Sequence, residues 1–269
     1  MPDIVIHALA SAAYLGLAGH FWNTRWRRPA RATGLQAWER AAILAPLALH
    51  GALLYSGVFA APELRFGFAQ GLSIMMFVGV ALYWVETLFY RLEGLEALML
   101  TLAAVAVPLP ALFAGRPVEV EGSEFKLHLA LAMIAYSLFV IAVLHAFLMA
   151  IVERHLHHKQ AAVPAGLPPL LTLEQLLFRT IGVAFLFLTL TLVTGMILTD
   201  VKFGRLLRFN HETVFAVLAW LTFAGLLLGR YAWGWRGRTA VRWTLTGFVM
   251  ILLANVGTAF VLEVILKRP

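Results

Sequence analysis

Eight apolar stretches, each long enough to cross a lipid bilayer as a helix, dominate this sequence. A helix needs about 20 mostly apolar residues to span a hydrocarbon core of roughly 30 Å. Runs such as 181–198 do not alternate apolar and polar residues, which argues against membrane β-strands. We therefore predict an all-α, polytopic membrane bundle of about eight transmembrane helices, built as a single domain over residues 1–269. The predicted spans cover about residues 3–22, 41–61, 68–90, 95–114, 125–152, 175–199, 212–232 and 240–265.

The composition supports a membrane protein. Of the 269 residues, 61% are hydrophobic and only 13% are charged, whereas soluble domains carry about a quarter charged residues. This excludes a soluble globular enzyme, a disordered chain and a nucleic-acid-binding module. The net charge of +7 comes from basic residues in short loops, where they meet the headgroups of the bilayer. Cysteine is absent, so any cofactor must be held by histidine, methionine or oxygen ligands, or by shape.

The distribution of lysine and arginine predicts the orientation. With the N-terminus outside, 13 of these residues lie on the inner side and 8 on the outer side. Because inner loops carry the excess of positive charge, we expect both termini on the outer, periplasmic side. No basic segment precedes the first apolar stretch, so we expect a membrane helix there and not a signal peptide.

Two features depart from a regular series of helices. Pro108 and Pro110 lie late in the fourth span, and since each lacks a backbone N–H, we expect that helix to kink or end early. The predicted outer loop between the sixth and seventh spans carries Lys202, Arg205 and Arg208. These cations favour a bound carboxylate or phosphate, or they pair with lipid and with the acids at the edges of the loop.

Three histidines are candidates for chemistry. His50 lies about nine residues into the second span, which at 1.5 Å per residue is about 14 Å deep. An ionisable residue at that depth is a functional candidate, although a neutral imidazole can also simply hydrogen-bond a neighbouring helix. His128 and His211 lie at the outer ends of the fifth and seventh spans, where an imidazole can ligate a metal or haem iron or contact headgroups. No motif of a nucleotide-binding, hydrolase or zinc-protease site is present, so we do not expect an enzyme.

Five segments stand out in this order along the chain: LHG at 49–51, KLHL at 126–129, LTLTLVTG at 188–195, FGRLLRFNHETVFAVLAW at 203–220 and GWRG at 234–237. Together they resemble the cytochrome c assembly (CcsA/CcmC-type) haem-handling family, and in particular its short, YpjD-like bacterial inner-membrane branch. The resemblance covers about residues 45–260. It implies a bacterial inner-membrane protein that presents haem at the outer face, with a cytochrome c assembly protein as partner.

The resemblance also implies site residues. His128 matches the first outer haem ligand, His50 matches one intramembrane ligand, and Trp220 matches the tryptophan of the span that follows the outer loop. The second intramembrane histidine of the family falls near Gly229, and the tryptophans of the outer loop are largely replaced.

The residues themselves offer a replacement for the missing outer ligand. His211 stands at the outer end of the seventh span, opposite His128. Arg205 and Arg208, with Lys202, are placed to pair with haem propionates. The predicted cofactor is haem b, and its predicted site comprises His50, His128, Phe203, Arg205, Arg208, Phe209, His211 and Trp220.

Two other functions stay open at this point. One is a cofactor-free membrane assembly or scaffold protein of the same fold, which the missing histidines favour. The other is a small-molecule or ion transporter with His50 in the path, although no pair of broken helices in corresponding halves supports it.

Overall fold

The computed structural model describes residues 2–27, 35–59, 65–90, 94–117, 122–157, 168–203 and 210–265. In these ranges nearly every residue is helical, and wide π-type turns extend or interrupt the first, second and last of the long helices. A two-residue antiparallel ladder joins the loop before the third helix to the loop before the fifth long helix. The all-α prediction is confirmed. The elements are α1 Pro2–Phe21, α2 Ala37–Leu54, β1 Arg65–Phe66, α3 Phe68–Phe89, α4 Leu95–Ala106, α5 Leu109–Leu112, β2 Arg116–Pro117, α6 Gly122–His157, α7 Leu170–Phe203, α8 His211–Trp233, α9 Gly237–Leu252 and α10 Thr258–Phe260.

Each of the eight predicted spans coincides with one long helix, so the polytopic bundle is confirmed. Within the described ranges, seven helical stretches are long and apolar enough to cross a membrane. The eighth long helix, α2, is not among them, and it carries Glu39 and Arg40 in its first turn. Helices α6 and α7 are longer than predicted, at 36 and 34 residues. The side on which the termini lie stays a prediction.

The helices pack as two groups. Helix α1 packs on α2 and α4, and α3 packs on the same two helices. In the second group, α6 lies along α7, and α8 packs between α7 and α9. Contacts of α6 with α3 join the groups, and large aromatic side chains fill the interior. In the second group Phe139 stacks on Phe223 with ring centroids 4.0 Å apart.

The two prolines of the fourth span explain how α1 is held. Helix α4 ends at Ala106, as predicted. Because Pro108 has no N–H, the carbonyl of Ala104 lacks its usual intrahelical donor; the hydroxyl of Ser11 donates to it over 2.7 Å. The carbonyl of Val107, whose usual partner Ala111 donates to Pro108 instead, accepts from Nδ1 of His7, also over 2.7 Å. Side chains of α1 therefore satisfy backbone carbonyls at the end of α4 that lack a helical donor, as the membrane interior requires.

Candidate functional site

His128 lies near the start of α6, at the end of the bundle where α7 ends and α8 begins. This is the end that the charge distribution predicts to be outer. Its side chain is half-buried, and Nδ1 lies 2.9 Å from Oγ1 of Thr194 in α7. Gly195 allows this approach, since a Cβ at that position would lie 3.1 Å from Cε1 of the ring. The imidazole predicted as the outer ligand is thus positioned by α7.

His50 is only 1% exposed. It lies in α2 and faces α1 and α3. Its Nε2 is 2.9 Å from Oγ of Ser73 in α3, and its Nδ1 is 3.5 Å from Oη of Tyr14 in α1. The rings of Tyr14 and Phe77 meet it edge to face. Both ring nitrogens are therefore engaged, which matches the reading of His50 as a hydrogen-bonding link between helices. To act as an iron ligand, His50 would first have to release one of these partners.

Two other predicted site residues, His211 and Trp220, lie at or near the same end as His128. His211 is the first residue of α8 and is exposed. Trp220 lies two to three turns further along α8, where its Nε1 donates to Oγ1 of Thr189 over 2.9 Å and its ring stacks on Phe185. Helix α7 ends at Phe203. The remaining predicted residues, Arg205, Arg208 and Phe209, lie outside the described residues.

The three predicted histidine ligands do not form one cluster. Among the described residues, no three His, Cys, Asp or Glu side chains come close enough together to hold a metal ion. His50 is hydrogen-bonded within the first group of helices, whereas His128 is hydrogen-bonded to α7. A three-ligand metal centre built from His50, His128 and His211 is therefore not formed.

A buried ion cluster lies at the opposite end of the bundle and was not predicted. Glu39 is 2% exposed; its Oε2 accepts from Arg25 over 2.7 Å, and its Oε1 lies 2.9 Å from Nε2 of His20. The backbone N–H of Gln36 also donates to Glu39 over 2.8 Å, as in a helix capping box. The spacing of Gln36 and Glu39 was the available sequence signal. The cluster joins the ends of α1 and α2.

Gly229, where the family's second intramembrane histidine is implied, has no room for a side chain. A Cβ there would lie 2.3 Å from Cε3 of Trp235. Trp235 also packs against Trp233 and Trp243, with centroids 5.9 and 4.9 Å apart. The turn that returns Trp235 onto α8 starts at Gly234, whose φ of 66° is in the left-handed region that favours glycine. The GWRG segment thus packs the indole ring of Trp235 against Gly229.

Comparison with known proteins agrees with this architecture. The family model described as "Cytochrome C assembly protein" matches residues 41–266. Inner membrane protein YpjD of Escherichia coli K12 is 32% identical over 138 residues, which cover 51% of this chain and 52% of that protein. An uncharacterized 28.8 kDa protein of Azospirillum brasilense is 33% identical over 167 residues, 62% of this chain and 60% of that protein.

A more distant relative is the cytochrome c biogenesis protein CcsA of Heterosigma akashiwo, 31% identical over 91 residues, which cover 34% of this chain and 28% of that protein. The chain spans about half the length of the first curated relatives that it matches. No solved structure matches it. The seven apolar helices among the described residues, together with the inner-membrane relatives, identify a multi-pass bacterial inner-membrane protein. Because the family model covers most of the sequence, the chain belongs to the cytochrome c assembly protein family.

Proposed function

We propose that this protein binds haem, specifically haem b, at the predicted outer end of its bundle and presents it to a partner protein during cytochrome c assembly. Family membership supports the class of function. The observation that carries the proposal is the imidazole of His128, half-buried at that end and held through Nδ1 by Thr194. A histidine fixed through one ring nitrogen keeps the other for a ligand.

The residue types proposed for this site match haem in chemistry. Haem supplies an iron that accepts imidazole as an axial ligand. His128 is the proposed first ligand and the exposed His211 the second. In this proposal Arg205 and Arg208 pair with the propionates, and the aromatic residues Phe203, Phe209 and Trp220 pack beside the ring. His50 serves as a further ligand only if one of its contacts, with Tyr14 or with Ser73, opens.

The test is the absorption spectrum of the purified protein after expression with added haem precursor. We expect a Soret band, and we expect His128→Ala to lose most of it. His155→Ala is the matched control, because His155 lies at the other end of the same helix with Nδ1 bonded to the Ile151 carbonyl. His211→Ala should weaken the band. A wild-type protein without a Soret band, or equal bands in the His128 and His155 variants, would overturn the proposal.

A cofactor-free scaffold of the same fold is the second candidate, and two observations favour it. Both ring nitrogens of His50 are engaged by neighbouring helices, and Trp235 fills the space beside Gly229. In this case the helices dock a partner protein and bind no haem. Absence of the Soret band, together with co-purification of a cytochrome c assembly protein, would select the scaffold.

A further inference from the structure

The hydroxyl of Thr194 contacts one ring nitrogen of His128 and so bears on which of the two nitrogens can bind a ligand. Its Oγ1 lies 2.9 Å from Nδ1 of the imidazole. The same hydroxyl lies 2.9 Å from the carbonyl oxygen of Leu190 and 3.1 Å from that of Thr191, within its own helix. One hydroxyl hydrogen therefore faces two backbone acceptors and one ring nitrogen.

The chemistry of these partners places the protons. A carbonyl oxygen only accepts, so a hydroxyl that bonds to it gives up its single hydrogen. With the hydroxyl bonded to either carbonyl, the oxygen of Thr194 keeps lone pairs, and the ring nitrogen facing it donates. This contact then requires an N–H on Nδ1 of His128.

The close approach depends on a glycine. Gly195 follows Thr194, and a Cβ there would lie 3.1 Å from Cε1 of His128, closer than carbon atoms normally pack. A larger residue would push the ring away from the hydroxyl of Thr194. Thr194 and Gly195 therefore act together, one by hydrogen bonding and one by leaving space.

We propose that Thr194 is a positioning residue that holds His128 in the tautomer with its hydrogen on Nδ1, so that the lone pair of Nε2 is the atom presented to haem iron. The haem part of this inference rests on the proposed function. The tautomer itself is a property of the haem-free protein. In metal sites, an outer hydrogen bond of this kind fixes the tautomer and orientation of the ligand and raises its basicity.

The first experiment is nitrogen NMR of the haem-free protein in lipid nanodiscs, with ¹⁵N-labelled histidine and the His128 signals assigned from a His128→Gln variant. We expect Nδ1 of His128 to be protonated and Nε2 unprotonated at a pH where the ring is neutral. Thr194→Val should abolish this preference, and Thr194→Ser should retain it. A protonated Nε2 in the wild type would overturn the inference, whether or not haem binds.

The second experiment measures haem affinity by titration into the same nanodiscs. We expect Thr194→Val to weaken haem binding by about 10- to 100-fold, and Thr194→Ser to restore most of it. Thr199→Val is the matched control: its Oγ1 also donates to a carbonyl of α7, that of Gly195, and His128 bonds to Thr194 instead. Wild-type affinity in Thr194→Val would overturn the inference. No haem binding by the wild-type protein would refute the proposed function, and the NMR result would still decide the tautomer.

Discussion

Replacing Gly229 by alanine tests the packing of the GWRG segment against α8. The added Cβ would lie 2.3, 2.5 and 2.8 Å from three carbon atoms of the Trp235 ring. Carbon atoms pack at about 3.5–4.0 Å, so the ring must move by roughly 1 Å. Overpacking of this kind costs about 1–3 kcal/mol. Alanine also returns about 0.5–1 kcal/mol of helix stability, so we expect a net loss of about 1–2 kcal/mol.

The matched control is Gly182→Ala in α7, where an added Cβ meets nothing within 4 Å. There the helix-forming advantage of alanine acts alone, and we expect a gain of about 0.5–1 kcal/mol. The assay is the free energy of unfolding in mixed micelles, followed by tryptophan fluorescence. The two substitutions should thus shift stability in opposite directions.

A double-mutant cycle links the effect to the indole. Trp235→Leu alone should destabilise, because it removes contacts with Trp233 and Trp243. In the Trp235→Leu background, Gly229→Ala should lose most of its cost, giving an interaction energy of about 1 kcal/mol or more. If Gly229→Ala were as stable as the wild type, or equally harmful in both backgrounds, the steric explanation would be wrong.

Substitutions at four further positions have expected effects on stability in the same assay. Ser11→Ala should lower the free energy of unfolding by about 1 kcal/mol. In a Pro108→Ala background it should lower it by almost nothing, because a new backbone N–H at position 108 then donates to the carbonyl that Ser11 bonds. Equal losses in the two backgrounds would contradict this explanation. Glu39→Ala should cost about 3–5 kcal/mol, because it leaves buried charge behind, and Glu39→Gln should cost less. His50→Ala should lower the free energy of unfolding by at least about 1–3 kcal/mol, because it leaves the two hydroxyls that His50 bonds unpaired. Unchanged stability would contradict the role of His50 as a hydrogen-bonding link between helices. His145 is fully buried, with neither ring nitrogen in hydrogen-bonding geometry among the described residues, so His145→Leu should leave stability unchanged or raise it.

The positions of the long helices could be predicted from the sequence because each coincides with an apolar stretch bounded by charges, proline or glycine. The end of α4 was also predictable, since Pro108 cannot supply a backbone N–H. The lengths of α6 and α7 could not be predicted in this way. Helix α6 continues through Glu153, Arg154 and His155, and a rule that ends a span at the first charges stops short of residues that remain helical.

The candidate site was predictable in its residue types and depth, but not in its contacts. The depth of His50 follows from its place in an apolar run, and it is indeed buried. Its partners Tyr14 and Ser73 lie 36 and 23 residues away, and single hydroxyls in apolar helices give no periodic signal. The pairing of Glu39 with Arg25 was missed for a related reason, because charges near span ends are expected to face water or headgroups.

The bonds between α1 and α4 have a consequence for biosynthesis. His7 and Ser11 bond to carbonyls 100 and 93 residues further along the chain. In the order of synthesis α1 precedes α4, so its imidazole and hydroxyl are inserted before these acceptors exist. They obtain them only when the ribosome has passed Val107 and the fourth span has been released from the insertion machinery. Until that moment α1 can pack on α2 but lacks two of the hydrogen bonds that hold it in the folded bundle.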